Sequence, residues 1–381
     1  MDRVIRVGVI GCGLIAQSIH LRLLQDMPEF SLTAICDVDE RVLEAVGERF
    51  GVQHRYERYE DLCRRAPIDA VLIATPHHLR PATCAIEAGK HVLIEKPLCT
   101  DPAAGRELVS LARRRRTAAM VGYMKRYDAG FLEALARIGE LPRIRMSRIH
   151  DFAGRFGRTA HLFGPVAARP SPPIGEDPTP VESALRRLSP STRSLHERLV
   201  KFACHDVNLA QGAFGLPEDV SNVCLLGDLT VLFVLGYRGS GPCVVELSLA
   251  TSYEWFDESF VVFGDRSQVA VRFADPFIPF GRSEAIVTRG TPEGGVEEVR
   301  RVGTFADAFR REWQHFASCV REGRRPLTDL ESSLGDVEVL AEVARQLDAR
   351  PPHGGTGPGP ETAPGEAPGR QETRGCPCGS S

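Results

Sequence analysis

The sequence predicts a mixed α/β protein: a doubly wound parallel-sheet domain over residues 1–125, then an α+β domain with a large, mostly antiparallel sheet over residues 126–349. Three observations carry this. Short apolar runs alternate with amphipathic stretches from residue 4, a glycine-rich turn follows the first run, and beyond about residue 140 strand follows strand with few helices between. At 381 residues the chain is long enough to bury two such cores.

In the first part the runs VIRVGVIG (4–11), SLTAICD (31–37), AVLIAT (70–75), HVLIEK (91–96) and AAMVGY (118–123) are near-continuously apolar. That is the mark of parallel strands buried on both faces. Helix-like stretches such as RVLEAVGERF and RPATCAIEAGK separate them, which makes the order doubly wound. In the second part RIRMSRIHDF, SNVCLLG, LTVLFVLGY, CVVELSLATS, SFVVFGD, QVAVRF and EAIVTRG read as strands of an antiparallel sheet. TFADAFRREWQHFASCVREG and ESSLGDVEVLAEVARQLDAR are amphipathic helices. Residues 163–198 are proline-rich and irregular, with a short helix at VESALRRL, and form either a lid or a surface insertion. Residues 350–381 lack the apolar content to fold and are expected to be a disordered tail.

Composition narrows the function. The 47 basic residues nearly balance 50 acidic ones, for a net charge of −3, so there is no electrostatic footprint for nucleic acid or an anionic membrane. No run approaches the roughly 20 apolar residues of a membrane span, and the opening MDRVIRVGVIGCG enters a strand rather than a signal peptide. A cytoplasmic protein acting on a small molecule is expected, assembled as a homo-oligomer, dimer or tetramer. The 11 cysteines mostly sit singly in apolar segments (Cys12, Cys36, Cys84, Cys224, Cys243), as buried reduced thiols do. Cys376 and Cys378 have no partner cluster, so no metal is expected. Lysine stands only at Lys90, Lys96, Lys125 and Lys201, and arginine supplies the other basic positions. This bias suits a GC-rich bacterial genome and points towards secondary metabolism such as antibiotic biosynthesis. In such a background a retained lysine marks a position where a compact ammonium serves and arginine does not.

GVIGCGLIAQ sets Gly11, Gly13 and Ala16, with Leu14 and Ile15 between, in a GxGxxA pattern from strand to helix. The glycines permit a tight turn and let backbone amides reach a pyrophosphate at the positive end of the helix dipole. Asp37 ends the next apolar run, where a carboxylate accepts hydrogen bonds from both ribose hydroxyls and repels a 2′-phosphate. The neighbouring Val38 and Asp39 offer no cation for that phosphate. NAD is therefore favoured over NADP.

GVIGCGLIAQ, ATPHHLRPATCAIEAGKHVLIEKPLCT and VGYMKRYD together resemble the Gfo/Idh/MocA family, the oxidoreductases related to glucose-fructose oxidoreductase and inositol dehydrogenase. The likeness runs through most of residues 4–128 and more loosely to 349, and its most specific piece is Glu95, Lys96 and Pro97 at the end of the fifth strand. The resemblance implies an NAD-binding Rossmann domain followed by a substrate and oligomerisation domain. It implies that Thr75 and Pro76 line the nicotinamide half of the cofactor site with His78 close by, and that Lys96 projects beside nicotinamide and substrate. Arg80 stands where the family commonly has histidine.

Members usually carry an Asp-x-x-x-His helix in the second domain, and KFACHDVNL (201–209) is similar, with His205 as the histidine and Lys201 in place of the aspartate. The implied chemistry is hydride exchange between a nicotinamide and a secondary hydroxyl of a sugar or cyclitol. His205 would be the general base and Lys96 the group that stabilises charge on oxygen. On a continuous helix Lys201 lies one turn ahead of His205 on the same face. It either keeps His205 neutral, binds an anionic substrate group, or points to water. Lys125 and Arg126, after the sixth strand, are further substrate candidates. Two other functions fit the same residues: a ketosugar reductase, and a non-catalytic dinucleotide-binding regulator of the same fold.

Overall fold

Apolar strands too short to alternate, each followed by a helix with one apolar stripe, satisfy their backbones and bury their side chains only by stacking into a parallel sheet covered by helices. The computed structural model describes residues 3–349 apart from 153, 155–163, 168–182, 228, 251–253, 279–280 and 305–306. The expected disordered tail therefore lies outside the described residues, as does much of the proline-rich segment.

The first sheet comprises β1 (Ile5–Ile10), β2 (Phe30–Cys36), β3 (His54–Tyr56), β4 (Ala70–Ile73), β5 (His91–Glu95) and β6 (Ala119–Gly122). They run in the order β3-β2-β1-β4-β5-β6, all parallel, which is the doubly wound Rossmann order. Helices α1 (Leu21–Asp26), α2 (Glu40–Arg49), α3 (Tyr59–Arg65), α4 (Leu79–Glu87) and α5 (Pro102–Arg115) connect the strands. Asp39 and Asp101 cap α2 and α5 by accepting backbone amides. Strand β3 is not among the sequence-read strands, because three half-exposed residues carry no periodic signal.

After a 3₁₀ turn (Met124–Tyr127) and α6 (Ala129–Ile138), the second sheet begins with β7 (Ile144–Phe152). It continues with β8 (Asp219–Leu226), β9 (Thr230–Gly236), β10 (Cys243–Ser248), β11 (Asp257–Gly264), β12 (Ser267–Arg272), β13 (Glu284–Gly290) and β14 (Val296–Val302). The order is β14-β13-β12-β11-β7-β10-β9-β8, antiparallel except for the parallel pair β7–β10. Strand β14, VEEVRRV, is an edge strand exposed at every residue, so its charged pattern conceals it in the sequence. Phe131 of α6 and Phe214 of a later helix both meet Phe260 of β11, covering one face of the sheet.

Two departures from the sequence reading bear on the site. Residues 190–198, expected to be irregular, begin α7 (Pro190–Phe202), capped by Ser189. KFACHDVNL is not one helix: α7 stops at Phe202 and α8 (Cys204–Phe214) starts anew after Ala203. The described part of the proline-rich segment includes Val166, which exchanges two hydrogen bonds with the amide of Gln17 (2.8 and 3.0 Å). The last two helices are α9 (Ala308–Glu322) and α10 (Leu330–Asp348). Phe309, Trp313 and Phe316 of α9 join the core of the first sheet beside Val7, Val9 and Leu21. Met120 of β6 bridges to Asp329 just before α10.

Candidate active site

Chain reversal at the end of β1 demands a glycine. Gly11 has φ +91°, and a Cβ there would lie 2.7 Å from the Ala74 carbonyl. Around Gly13 a Cβ would meet nothing within 4 Å, and the helical run begins at Leu14 and passes through a π-helical turn (Ala16–His20) into α1. A helix start facing open space beside bare backbone is a cradle for a phosphate, so these residues fit a dinucleotide. Asp37 joins this loop to the end of β2: its carboxylate accepts the amides of Cys12 (2.8 Å) and Asp39 (2.9 Å).

A cavity of about 470 Å³ opens beside this turn. Of the residues singled out in the sequence, it gathers Gly13, Leu14, Ile15, Thr75, Pro76, His78, Glu95, Lys96, Lys125 and His205 on its walls. Gly11, Ala16 and Asp37 shape the turn without lining the cavity. His78 Nδ1 faces the Pro97 carbonyl at 2.6 Å, and because a carbonyl only accepts, Nδ1 carries the proton. Glu95 accepts from His20 Nε2 (2.7 Å), and Trp313 Nε1–H donates to His20 Nδ1 (3.0 Å). Burial acts to raise the Glu95 carboxyl, but the hydrogen bond and charge of His20, with Lys96 and His78, outweigh it and the net shift is downward.

Lys96 reaches across to the second part of the chain, where its Nζ donates to the Lys201 carbonyl at 3.0 Å. His205, on the first turn of α8, faces Tyr123 edge-on with ring centroids 6.0 Å apart. Enclosure first, then the ammonium groups of Lys125 and Lys96, push the His205 pKa well below its usual value, so it stands neutral. Lys125 in turn donates to both carboxylate oxygens of Glu258 (2.5 Å each). Burial alone would lower the Lys125 pKa; Glu258, Asp151 and Asp206 more than offset it, and the group stays an ammonium.

Two expectations need correction. The Lys201 side chain is exposed and does not line the cavity, because the break at Ala203 takes it off the His205 face. Of the three readings of Lys201, exposure to water is the one that fits, and the charges that depress the His205 pKa are those of Lys125 and Lys96. Arg126 does not line the cavity either; it is buried and donates to the carbonyl and side-chain oxygens of Asn208 (3.1 and 3.2 Å), anchoring α8.

Sequence reasoning missed Asp151, Asp206 and Glu258, whose carboxyl oxygens lie within 4.8 Å of one another around Lys125. Among the described residues this is the group near enough to share a metal ion. The signal was present in part. Asp151 is in phase with buried Ser147 and Ile149 of β7, and Glu258 with Phe260 and Val262 of β11, so each acid sits on a buried face. Also missed were the aromatic walls from Phe202, Phe256, Phe277 and Phe309.

The family model for Gfo/Idh/MocA proteins, described as an oxidoreductase family with an NAD-binding Rossmann fold, matches residues 5–123. The part of the chain that carries the first sheet is thus of the Gfo/Idh/MocA type. Like its relatives the chain is an oxidoreductase of the dehydrogenase type. It is 25% identical over 342 residues to myo-inositol 2-dehydrogenase of Thermotoga maritima, covering 84% of this chain and 90% of that one. It is 39% identical over 122 residues to dTDP-3,4-didehydro-2,6-dideoxy-alpha-D-glucose 3-reductase of Actinomadura kijaniata, a match over 32% of this chain and 36% of that enzyme. Among solved structures, apo scyllo-inositol dehydrogenase from Lactobacillus casei shares the fold, with TM-score 0.68 at 18% identity over 91% of this chain and 97% of that one. Among the described residues no helix is long and apolar enough to cross a membrane.

Proposed function

We propose that this protein is an NAD-dependent oxidoreductase that interconverts a secondary hydroxyl and the corresponding ketone of a sugar or cyclitol. One observation carries the reading: Lys96 from the end of β5 and His205 from the start of α8 line the same cavity as the nucleotide turn. The carboxyl ends of parallel strands are where open α/β sheets bind ligands.

The nicotinamide, when bound, supplies the hydride acceptor or donor. The chain's own groups handle the proton and the charge. His205, neutral because it is enclosed and flanked by two ammonium groups, accepts the hydroxyl proton during oxidation and returns it during reduction. Lys96 commits one N–H to the Lys201 carbonyl, which leaves two for the substrate oxygen as alkoxide character develops. Gly13, Leu14 and Ile15 would hold the pyrophosphate, and Thr75, Pro76, His78 and Glu95 the nicotinamide end. Asp37 would accept the adenosine ribose hydroxyls, and its charge supports NAD over NADP. Ketone reduction uses the same groups in reverse, and the similarity to a ketosugar reductase makes both directions worth measuring.

Purified protein offered NAD⁺ with inositols, aminocyclitols and nucleotide-linked sugars should reduce the cofactor with at least one of them. A protein that binds NAD⁺ tightly but turns over no ring in either direction would remove this reading.

A further inference from the structure

We infer that His20 and Trp313, neither of which lines the cavity, are positioning residues for Lys96: they fix the Glu95 carboxylate, and that carboxylate holds the main chain from which the Lys96 ammonium projects. The inference rests on the reading of Lys96 as the group that stabilises charge on oxygen, and adds what aims it.

A continuous line of hydrogen bonds runs from α9 to the end of β5. An indole N–H only donates, so His20 Nδ1, 3.0 Å from Trp313 Nε1, is the accepting nitrogen. The ring proton therefore sits on Nε2, which donates to Glu95 Oε1 at 2.7 Å. Glu95 Oε2 accepts the backbone amide of Lys96 at 3.1 Å. Both oxygens of Glu95 face donors, and the ionised form, an acceptor at each oxygen, is the one that suits them. Glu312, buried one position before Trp313, agrees with this: burial first, then the charge of Glu95, pushes its carboxyl well up, so Glu95 is the ionised member of the two.

His20 is fully buried at the end of the π-helical turn, with Phe309 and Trp313 edge-on to it at centroid distances of 5.6 and 5.9 Å. Such turns are rare in helices and recur at functional sites. The indole N–H fixes the tautomer. Without it the ring proton is free to move to Nδ1, which would turn a lone pair against the carboxylate. Lys96 is pinned at both ends, by its amide on Glu95 and by its Nζ on the Lys201 carbonyl at 3.0 Å. Two anchors on a side chain with many rotamers leave less to be ordered when the substrate arrives. The amide anchor is the one that depends on His20 and Trp313.

The test uses the full chain grown with ¹⁵N-lysine. Lysine stands at four positions, so the amide spectrum holds four lysine signals, and Lys96→Met identifies the one for residue 96. Trp313→Phe keeps an aromatic ring and deletes the donor; His20→Leu deletes the link; His20→Gln returns an N–H near the place of Nε2–H. In Trp313→Phe and His20→Leu the Lys96 amide signal should move upfield and exchange faster with solvent, while Lys90, ahead of the other end of β5, stays in place. His20→Gln should bring the signal back towards its original position. With the ring of the panel above that turns over best, kcat in Trp313→Phe and His20→Leu should fall by roughly 10- to 100-fold at nearly constant KM and NAD⁺ affinity. His20→Gln should restore most of that loss. Trp313→Phe, the gentler change, decides the matter if His20→Leu does not fold. A Lys96 signal that stays put in it, or an unchanged kcat beside a lowered melting temperature, would make the three residues a structural network only and overturn the inference, leaving the oxidoreductase reading standing. If the unmodified protein turns over no ring, that reading falls, and the Lys96 signal by itself upholds or overturns the positioning role.

Discussion

The ammonium of Lys96 donates to the main-chain carbonyl of Lys201, 3.0 Å away. The final carbonyls of a helix have no intrahelical partner, and they form the negative end of its dipole. Because α7 stops at Phe202, the Lys201 carbonyl is one of these, and it offers Lys96 the acceptor that a carboxylate would provide elsewhere. Position 201 therefore contributes backbone to the site, while its side chain lies outside the cavity.

Lys201→Ala should accordingly change kcat and KM by no more than about twofold, as exposed substitutions do. The pH profile of cofactor reduction should keep its acidic limb in place. A raised KM, or a limb that moves, would show that the side chain reaches the substrate or His205 after all.

His205→Ala should lower turnover by roughly 10²- to 10⁴-fold with NAD affinity nearly unchanged, measured by steady-state rates and by fluorescence titration of the cofactor. The environment of the base is tested separately. Replacing Lys125 and Glu258 together by Met and Gln removes the ammonium without stranding a buried carboxylate. With one depressing charge gone, the His205 pKa rises, so protonation silences the base at higher pH and the acidic limb shifts upward. A limb that stays put would exclude Lys125 as a cause of the shift.

Asp37→Ser combined with Val38→Arg should move cofactor preference towards NADP, because the repelling carboxylate is lost and a cation is placed at the 2′ position. Serine still offers an oxygen to the Cys12 amide that Asp37 now binds, so the turn should survive. Competitive titration of the two cofactors reads the outcome; tighter NADP binding by the unmodified protein would contradict the assignment.

Asp69 accepts the side chain and backbone amide of Arg6, and that hydrogen bonding pulls its carboxyl down to about 2. The folded pKa lies below the unfolded one, so the pair stabilises the protein above about pH 4 and the contribution disappears as pH falls towards 2. Asp69→Asn should cost on the order of 1 kcal/mol at neutral pH, allowing for solvent screening of the exposed arginine. It should also flatten the stability curve between those limits in urea melts recorded across pH.

Local order was legible in the chain because it depends on near neighbours. The five longest parallel strands, the turn at Gly11 and Gly13, and Asp37 at the end of β2 follow from apolar runs, glycine conformations and the spacing of one βαβ unit. Lys96 and His205 were singled out by motif, and both stand on the cavity wall. The break at Ala203 was not legible, since KFACHDVNL contains no glycine or proline and alanine is the best helix former. Burial of Asp151 and Glu258 could be suspected from strand phase, yet phase says only that a residue faces inward.

What faces it is a tertiary matter. Lys125 and Glu258 are 133 residues apart, and His20 and Trp313 are 293 apart, so no window of sequence contains either pair. The sequence by itself determined the two sheets, the nucleotide turn and the identity of the candidate base and ammonium. Only the docking of the second sheet and of α9 against the strand ends decided which charges meet, because long-range packing brings buried ions within a few ångströms, where their mutual effect on protonation is strongest.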